Sequence, residues 1–96
     1  MDKLGVYMNG LKVGEYSRSR SGVNTFSYDD SWLASPGRRS ISLSLPLRSK
    51  AYAGPEVYNY FDNLLPDSRE IRERIVARFQ ADSTEPFDIL TQIGRD

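Results

Sequence analysis

An Asn-Gly pair, Asn9-Gly10, constrains the fold more than any other feature of the sequence. A type I′ turn needs positive φ at both central residues, which asparagine and glycine tolerate better than other residues. Apolar side chains alternate with other residues on both sides of the pair: Leu4, Val6, Met8, Leu11 and Val13. The pattern therefore predicts an N-terminal β-hairpin.

Two more strands are predicted after the hairpin. The first covers residues 25–28, and Trp32-Leu33 follows it as a short helical turn that anchors the core. The second covers residues 40–47, where Pro46 marks the strand end or an edge position because proline cannot donate to the ladder. Serine alternates there with apolar residues expected on one face: Ile41, Leu43, Leu45 and Leu47.

From Pro55 the spacing of apolar residues changes to three and four, the period of an amphipathic helix. Pro55 suits the first helical turn, and Pro66 stops the helix near Leu65. The stripe expected to face the sheet consists of Val57, Tyr60, Phe61, Leu64 and Leu65.

Two further helices are predicted. One begins at a cap on Asp67 or Ser68, with Glu70 placed for a capping box. Its expected apolar face consists of Ile71, Ile75, Val76 and Phe79. The other is capped by Ser83 or Thr84. Its expected apolar residues and C-terminal stop are Phe87, Leu90, Ile93 and Gly94.

Strands first and helices afterwards indicate the α+β class. We predict a small antiparallel sheet, made of the hairpin and two strands, followed by about three helices packed on one face. With 96 residues and no internal repeat or linker, residues 1–96 are expected to form a single domain.

Charge narrows the classes of partner. Thirteen basic and thirteen acidic residues cancel, but residues 1–50 carry eight basic against four acidic, and residues 51–96 five against nine. Such a polarised surface can orient a domain on a charged protein. Direct nucleic-acid binding normally needs a basic excess, so we expect none.

Composition also argues against catalysis. Histidine and cysteine are absent, so the commonest general base, the commonest metal ligand and disulfides are unavailable. The pair Asp29-Asp30 is more typical of a turn than of acid–base chemistry. A run of arginines is more typical of a solvated helix face than of a phosphate site: Arg69, Arg72, Arg74 and Arg78. We expect no enzyme activity, no cofactor and no metal.

No long apolar run or signal-peptide pattern is present, which predicts a cytoplasmic protein without membrane contact.

Several motifs, in order along the chain, resemble the N-terminal subdomain of HipA-type serine/threonine kinase toxins. The resemblance is carried by Val6-Tyr7-Met8-Asn9-Gly10, Val13-Gly14-Glu15, Ser42-Leu43-Ser44-Leu45-Pro46-Leu47, Tyr60-Phe61-Asp62-Asn63-Leu64-Leu65-Pro66-Asp67, Arg72, Phe87-Asp88-Ile89-Leu90 and Ile93-Gly94-Arg95-Asp96. It covers essentially the whole chain and is more specific than any single tetrapeptide.

The resemblance implies a role in binding. In that family the subdomain is not catalytic; it packs on the kinase core and helps to contact the DNA-binding antitoxin HipB. A free-standing version resembles HipS, the antitoxin that restrains the kinase HipT in HipBST systems. Because the sequence ends at Asp96, we expect the ATP-binding and phosphoryl-transfer residues to be lacking.

Two functions follow from the resemblance. The first is an antitoxin that binds and inhibits a HipT-like kinase, in a complex that also holds a HipB-like protein. The alternative is a structural subdomain or fragment of a full HipA-type kinase that contacts HipB.

Nine residues are predicted to contribute to partner binding. Most come from basic loops or from the segment 52–58, which is polar and aromatic, expected to be exposed and outside the core pattern. In the motif that begins at Phe61, the residues Asp62, Asn63 and Asp67 can serve equally as helix caps or as contacts. The set is Arg18, Arg20, Arg38, Arg39, Tyr52, Tyr58, Asp62, Asn63 and Asp67.

Overall fold

The computed structural model describes residues 2–93. The chain divides between Tyr58 and Asn59 into two compact units, which the structure describes over residues 2–58 and 59–93. The elements are β1 (Asp2–Met8), β2 (Leu11–Arg18), β3 (Asn24–Tyr28), α1 (Asp30–Leu33), β4 (Tyr52–Ala53), α2 (Pro55–Asp62), α3 (Arg69–Phe79) and α4 (Pro86–Ile93). The predicted helix stop Gly94 and the end of the Ile-Gly-Arg-Asp motif lie outside the described residues.

The four strands form one antiparallel sheet in the order β1-β2-β3-β4, and three helices, α2 to α4, follow it in the chain. This confirms the α+β class. Packing of the helices on one face of the sheet, and a single domain over residues 1–96, stay predictions.

The hairpin forms at the predicted turn, with φ of 51° at Asn9 and 81° at Gly10. A bulge then interrupts the pairing, because Val6 faces Gly14 while Tyr7 faces Lys12. Val13 is therefore an extra residue on β2. As a result Val13 and Gly14 are both buried, and the simple alternation predicted for β2 is broken.

Aromatic side chains fill the core of the first unit. Tyr16, Phe26 and Tyr52 lie in register across β2, β3 and β4, and all three are buried. Trp32 is buried on α1, where its Nε1 donates to the Arg39 carbonyl at 2.9 Å. The short helical turn and its tryptophan anchor are thus confirmed.

Residues 40–47 do not form the predicted strand; the fourth strand is Tyr52–Ala53. The physical reason is local hydrogen bonding by serine, which competes with a ladder. The Ser44 amide donates to Ser42 Oγ at 3.2 Å, and the Leu45 amide donates to the Ser42 carbonyl at 3.1 Å. These bonds close a tight turn at Leu43, which is 98% exposed, whereas Leu45 is fully buried.

In the second unit, Leu65, Ala81 and Ile89 form a small core. The helix predicted to reach Leu65 ends at Asp62, because the Leu64 and Leu65 amides donate three residues back, to Phe61 and Asp62, in a tighter turn. Leu64 is therefore exposed, and its predicted place in the buried stripe is wrong.

The helix α3 is capped by Ser68, whose Oγ accepts from the Ile71 amide at 3.3 Å. With Ser68 as the cap, Glu70 is not at the capping-box position; it pairs with Arg74 at 3.0 Å. The predicted apolar face packs on the core only at its centre, since Ile71 and Phe79 are exposed.

Before α4, the Ser83 hydroxyl accepts from the Glu85 amide at 3.0 Å and donates to Asp88 at 2.6 Å. Phe87 is buried as predicted. The sequence pattern missed the fully buried Ile89 and wrongly included Ile93, which is exposed.

A substitution at Gly14 tests the packing of the sheet. A Cβ there would lie 2.2 Å from the Ser27 carbonyl oxygen and 2.9 Å from Phe26 Cζ. Because a backbone oxygen cannot move aside, we expect Gly14→Ala to lower the free energy of unfolding by about 2 kcal/mol. Urea unfolding measures it. Gly37→Ala, whose Cβ meets only Ser35 Oγ at 4.0 Å, is the control; equal stability of the two variants would contradict the packing.

Candidate partner-binding site

The first unit carries a basic segment, residues 31–55, that contains no Asp or Glu. Its four basic residues are all exposed: Arg38, Arg39, Arg48 and Lys50. Arg38 and Arg39 are predicted partner residues, and the structure places them together in the loop after α1. The prediction missed Arg48 and Lys50, although the absence of acids from this stretch could have pointed to them.

Two arginines of the basic segment are held by backbone carbonyls. Arg38 Nη1 donates to the Ser35 carbonyl at 3.0 Å. Arg48 Nη2 donates to the Ala51 carbonyl at 3.0 Å, and the Arg48 guanidinium lies 3.6 Å from the centre of the Tyr52 ring. Stacking and hydrogen bonding restrict the Arg48 side chain and lower the entropy lost on binding a partner.

Tyr52 itself is buried, so the expectation that it is exposed is wrong. Its hydroxyl donates to the Pro46 carbonyl at 2.6 Å. The side chain is in the core because Tyr52 pairs with Phe26 in the sheet. Tyr52 therefore supports the loop between α1 and β4 and holds Arg48 above its ring.

The Tyr28 hydroxyl closes the base of a turn formed by residues 41–45. It accepts a hydrogen bond from the Ile41 amide at 3.0 Å and donates to the Leu45 carbonyl. Because one buried hydroxyl binds both ends, the turn is fixed to β3 with Leu43 at its tip. The sequence pattern missed this role of Leu43 since Ser-Leu-Ser-Leu also fits a half-buried strand.

Three other predicted residues lie elsewhere in the first unit. Arg18 is half-buried at the end of β2, and Arg20 is exposed in the loop that follows. Tyr58 is half-buried and lines a shallow hollow of about 330 Å³, together with Gly22, Val23, Asn24, Gly54 and Pro55. The structure thus places these residues outside the loop that carries Arg38 and Arg39.

A second shallow hollow, of about 220 Å³, contains none of the predicted partner residues. It is lined by Leu11, Lys12, Ser31, Trp32 and Ser35. The hydrogen bond from Lys12 to Glu15 and the nearby Asp29 carboxylate raise the pKa of Lys12 above its usual value. Lys12 is therefore fully protonated at neutral pH.

In the second unit, Asp62 binds Arg72. Arg72 Nη1 lies 2.6 Å from Asp62 Oδ1, Nη2 donates to the Asp62 carbonyl at 3.1 Å, and Nε donates to the Pro66 carbonyl at 2.6 Å. The prediction left Asp62 open as a helix cap or a partner contact; the structure shows instead an ion pair within the chain. The expectation that Arg72 lies on a solvated face is wrong, because its side chain is only 14% exposed.

Asn63 and Asp67 are both exposed, and Ser68 rather than Asp67 caps α3. Of the predicted residues in this unit, these two remain candidates for partner contact. Within residues 2–93, the described side chains include no group of three or more acidic residues that could hold a metal ion. Over the same range no helix has the length and hydropathy needed to span a membrane.

The Arg72 hydrogen bonds predict a specific need for a guanidinium. Lysine keeps the charge but cannot donate to Asp62 and Pro66 from one planar group. We expect Arg72→Lys to lower the free energy of unfolding by about 1–3 kcal/mol in urea. Arg74→Lys, at a side chain 75% exposed, is the control and should change it by less than about 0.5 kcal/mol. Equal effects would contradict the structural role of Arg72.

Comparison with known proteins identifies the family. The family model described as HipA N-terminal domain matches residues 4–96. A Sinorhizobium fredii protein named "Putative kinase Y4mE" is 31% identical over 96 residues, which covers 97% of this chain and 22% of that protein. The chain thus spans about a fifth of the length of this curated relative. The predicted resemblance is confirmed, and the chain belongs to the HipA N-terminal domain family.

Proposed function

We propose that this domain is a HipS-like antitoxin, which binds a HipA-type serine/threonine kinase and inhibits it without carrying out chemistry itself. The family match over residues 4–96 carries the proposal, because it relates nearly the whole chain to components of HipA-type kinases. In this function the kinase supplies the catalytic residues, and the domain supplies a surface. A HipB-like DNA-binding protein belongs to the same complex.

The first unit has features that suit such a surface. The basic segment presents four exposed cations, and no acidic residue lies within residues 31–55. A group of positive charges favours docking on an acidic protein surface and increases the association rate. A stable contact buries about 800 Å² of each partner, which a domain of 96 residues can supply.

A second candidate function has its own support. The chain matches 22% of the length of a protein whose name describes a kinase, which favours a module that belongs to a longer kinase chain. In that case the domain docks on its own kinase body and helps to contact a HipB-like protein. Both candidates need a surface that binds the kinase; they differ in whether the contact is made between chains or within one.

A binding and activity experiment separates the candidates. The chain is titrated into the HipA-type kinase encoded beside it or, where the reading frame continues, into its own kinase body. Calorimetry measures binding, and phosphate transfer measures activity. Binding with loss of activity supports the antitoxin. Binding with unchanged or restored activity supports the structural module, and no binding in either setting contradicts both.

The predicted arginine contacts give a sharper test. Arg39→Gln removes an exposed charge while the backbone carbonyl that accepts from Trp32 is kept. We expect kinase affinity to fall about two- to fivefold at low ionic strength, with a smaller loss at high salt. Arg69→Gln makes the same charge change at a side chain 88% exposed on α3 and should leave affinity unchanged. Equal affinities of both variants would contradict a contact at Arg39.

A further inference from the structure

Leu43 is exposed on a turn that is hydrogen-bonded to the rest of the first unit. Its side chain is 98% exposed, two residues before the fully buried Leu45. Single exposed leucines are common on protein surfaces and by themselves indicate nothing. Leu43 differs because it lies at the tip of a turn whose geometry is set by hydrogen bonds on each side.

Hydrogen bonds inside the turn hold its shape. Ser44 donates its amide to Ser42 Oγ at 3.2 Å, and the two serine hydroxyls lie 2.9 Å apart. The Leu45 amide closes the turn on the Ser42 carbonyl at 3.1 Å. Ser42 and Ser44 thus hydrogen-bond to each other, and Leu43 is the apolar side chain at the tip of the turn.

Two buried tyrosines fix the turn to the sheet. The Tyr28 hydroxyl binds Ile41 and Leu45 at its base, and the Tyr52 hydroxyl binds the carbonyl of Pro46 one residue later. Because the backbone of the turn is already held in place, little backbone entropy is lost when Leu43 enters a pocket. The turn therefore has the form of a preformed anchor.

The positive charges near the turn indicate the charge expected on the partner's surface. Arg39 is four residues before Leu43 and Arg48 five residues after it, so both lie within roughly 18 Å along the chain. Both are exposed, and no acidic residue lies between them. A pocket that receives Leu43 is therefore matched best by an apolar floor and a rim of carboxylates.

We propose that the turn Ser42-Leu43-Ser44 is the anchor by which the domain docks on its kinase, with Leu43 inserted into an apolar pocket rimmed by Asp or Glu side chains of the kinase. This inference rests on the proposed function and deepens it, because it assigns the contact to one element. It does not depend on whether the contact inhibits the kinase.

Substitution of Leu43 tests the anchor with little risk to the fold, because the side chain is exposed. The binding of wild-type chain to the kinase body is measured first by calorimetry. We expect Leu43→Ser to weaken it about tenfold or more, while the urea midpoint stays unchanged. Leu11→Ser, at a side chain 58% exposed on the hairpin, is the matched control and should weaken binding less than about twofold.

The rim is tested by charge. Leu43→Asp should bind more weakly than Leu43→Lys, because a carboxylate is repelled by an acidic rim that attracts an ammonium group. The reverse order, or equal affinities, would overturn the acidic rim.

Other outcomes separate the inference from the function on which it rests. If the wild-type chain fails to bind, the proposed function fails. If it binds and Leu43→Ser binds equally well, the anchor is overturned while the function stands. If sedimentation shows that the wild-type chain self-associates and Leu43→Ser does not, the occupant is a second copy, and the kinase contact at Leu43 is overturned.

Discussion

The candidate surface depends on the two hydrogen bonds that the Tyr28 hydroxyl group makes. Tyr28 lies at the end of β3 with its ring buried edge-on against Phe26, 4.9 Å between centroids. Its hydroxyl then binds the Ile41 amide and the Leu45 carbonyl. A buried polar group needs hydrogen-bond partners. The burial of Tyr28 in the core therefore also fixes the position of residues 41–45, which supply those partners. The position of Leu43 follows from the packing of the sheet.

In the second unit, a charged side chain holds a loop in place. The core of this unit is small, and α3 buries none of its residues. The guanidinium of Arg72 instead holds the loop after α2 by binding Asp62 and the Pro66 carbonyl. Because the Arg72 and Asp62 side chains are both partly buried, their ion pair stabilises the fold more than an exposed ion pair does. The motif Asn-Leu-Leu-Pro-Asp therefore owes part of its shape to an arginine farther along the chain.

Features set by local interactions could be predicted from the sequence, and features set by distant partners could not. The hairpin at Asn9-Gly10 follows from turn chemistry alone, and the start of α2 at Pro55 from the proline. The turn at Leu43 depends on Tyr28, and the position of the partly buried Arg72 side chain depends on Asp62. The spacing of apolar residues indicates neither contact. Of the predicted partner residues, Arg38 and Arg39 are exposed together, whereas Tyr52 supports the core.

Hydrogen exchange of the backbone amides, read by mass spectrometry with and without the kinase, is the most direct test of docking through the turn at Leu43. We expect slow exchange at Ile41 and Leu45 in the free chain, since both amides are hydrogen-bonded. On binding, new protection should concentrate in residues 38–50, around Leu43. Protection confined to other segments, with residues 38–50 unchanged in a complex that forms, would contradict docking through the turn at Leu43.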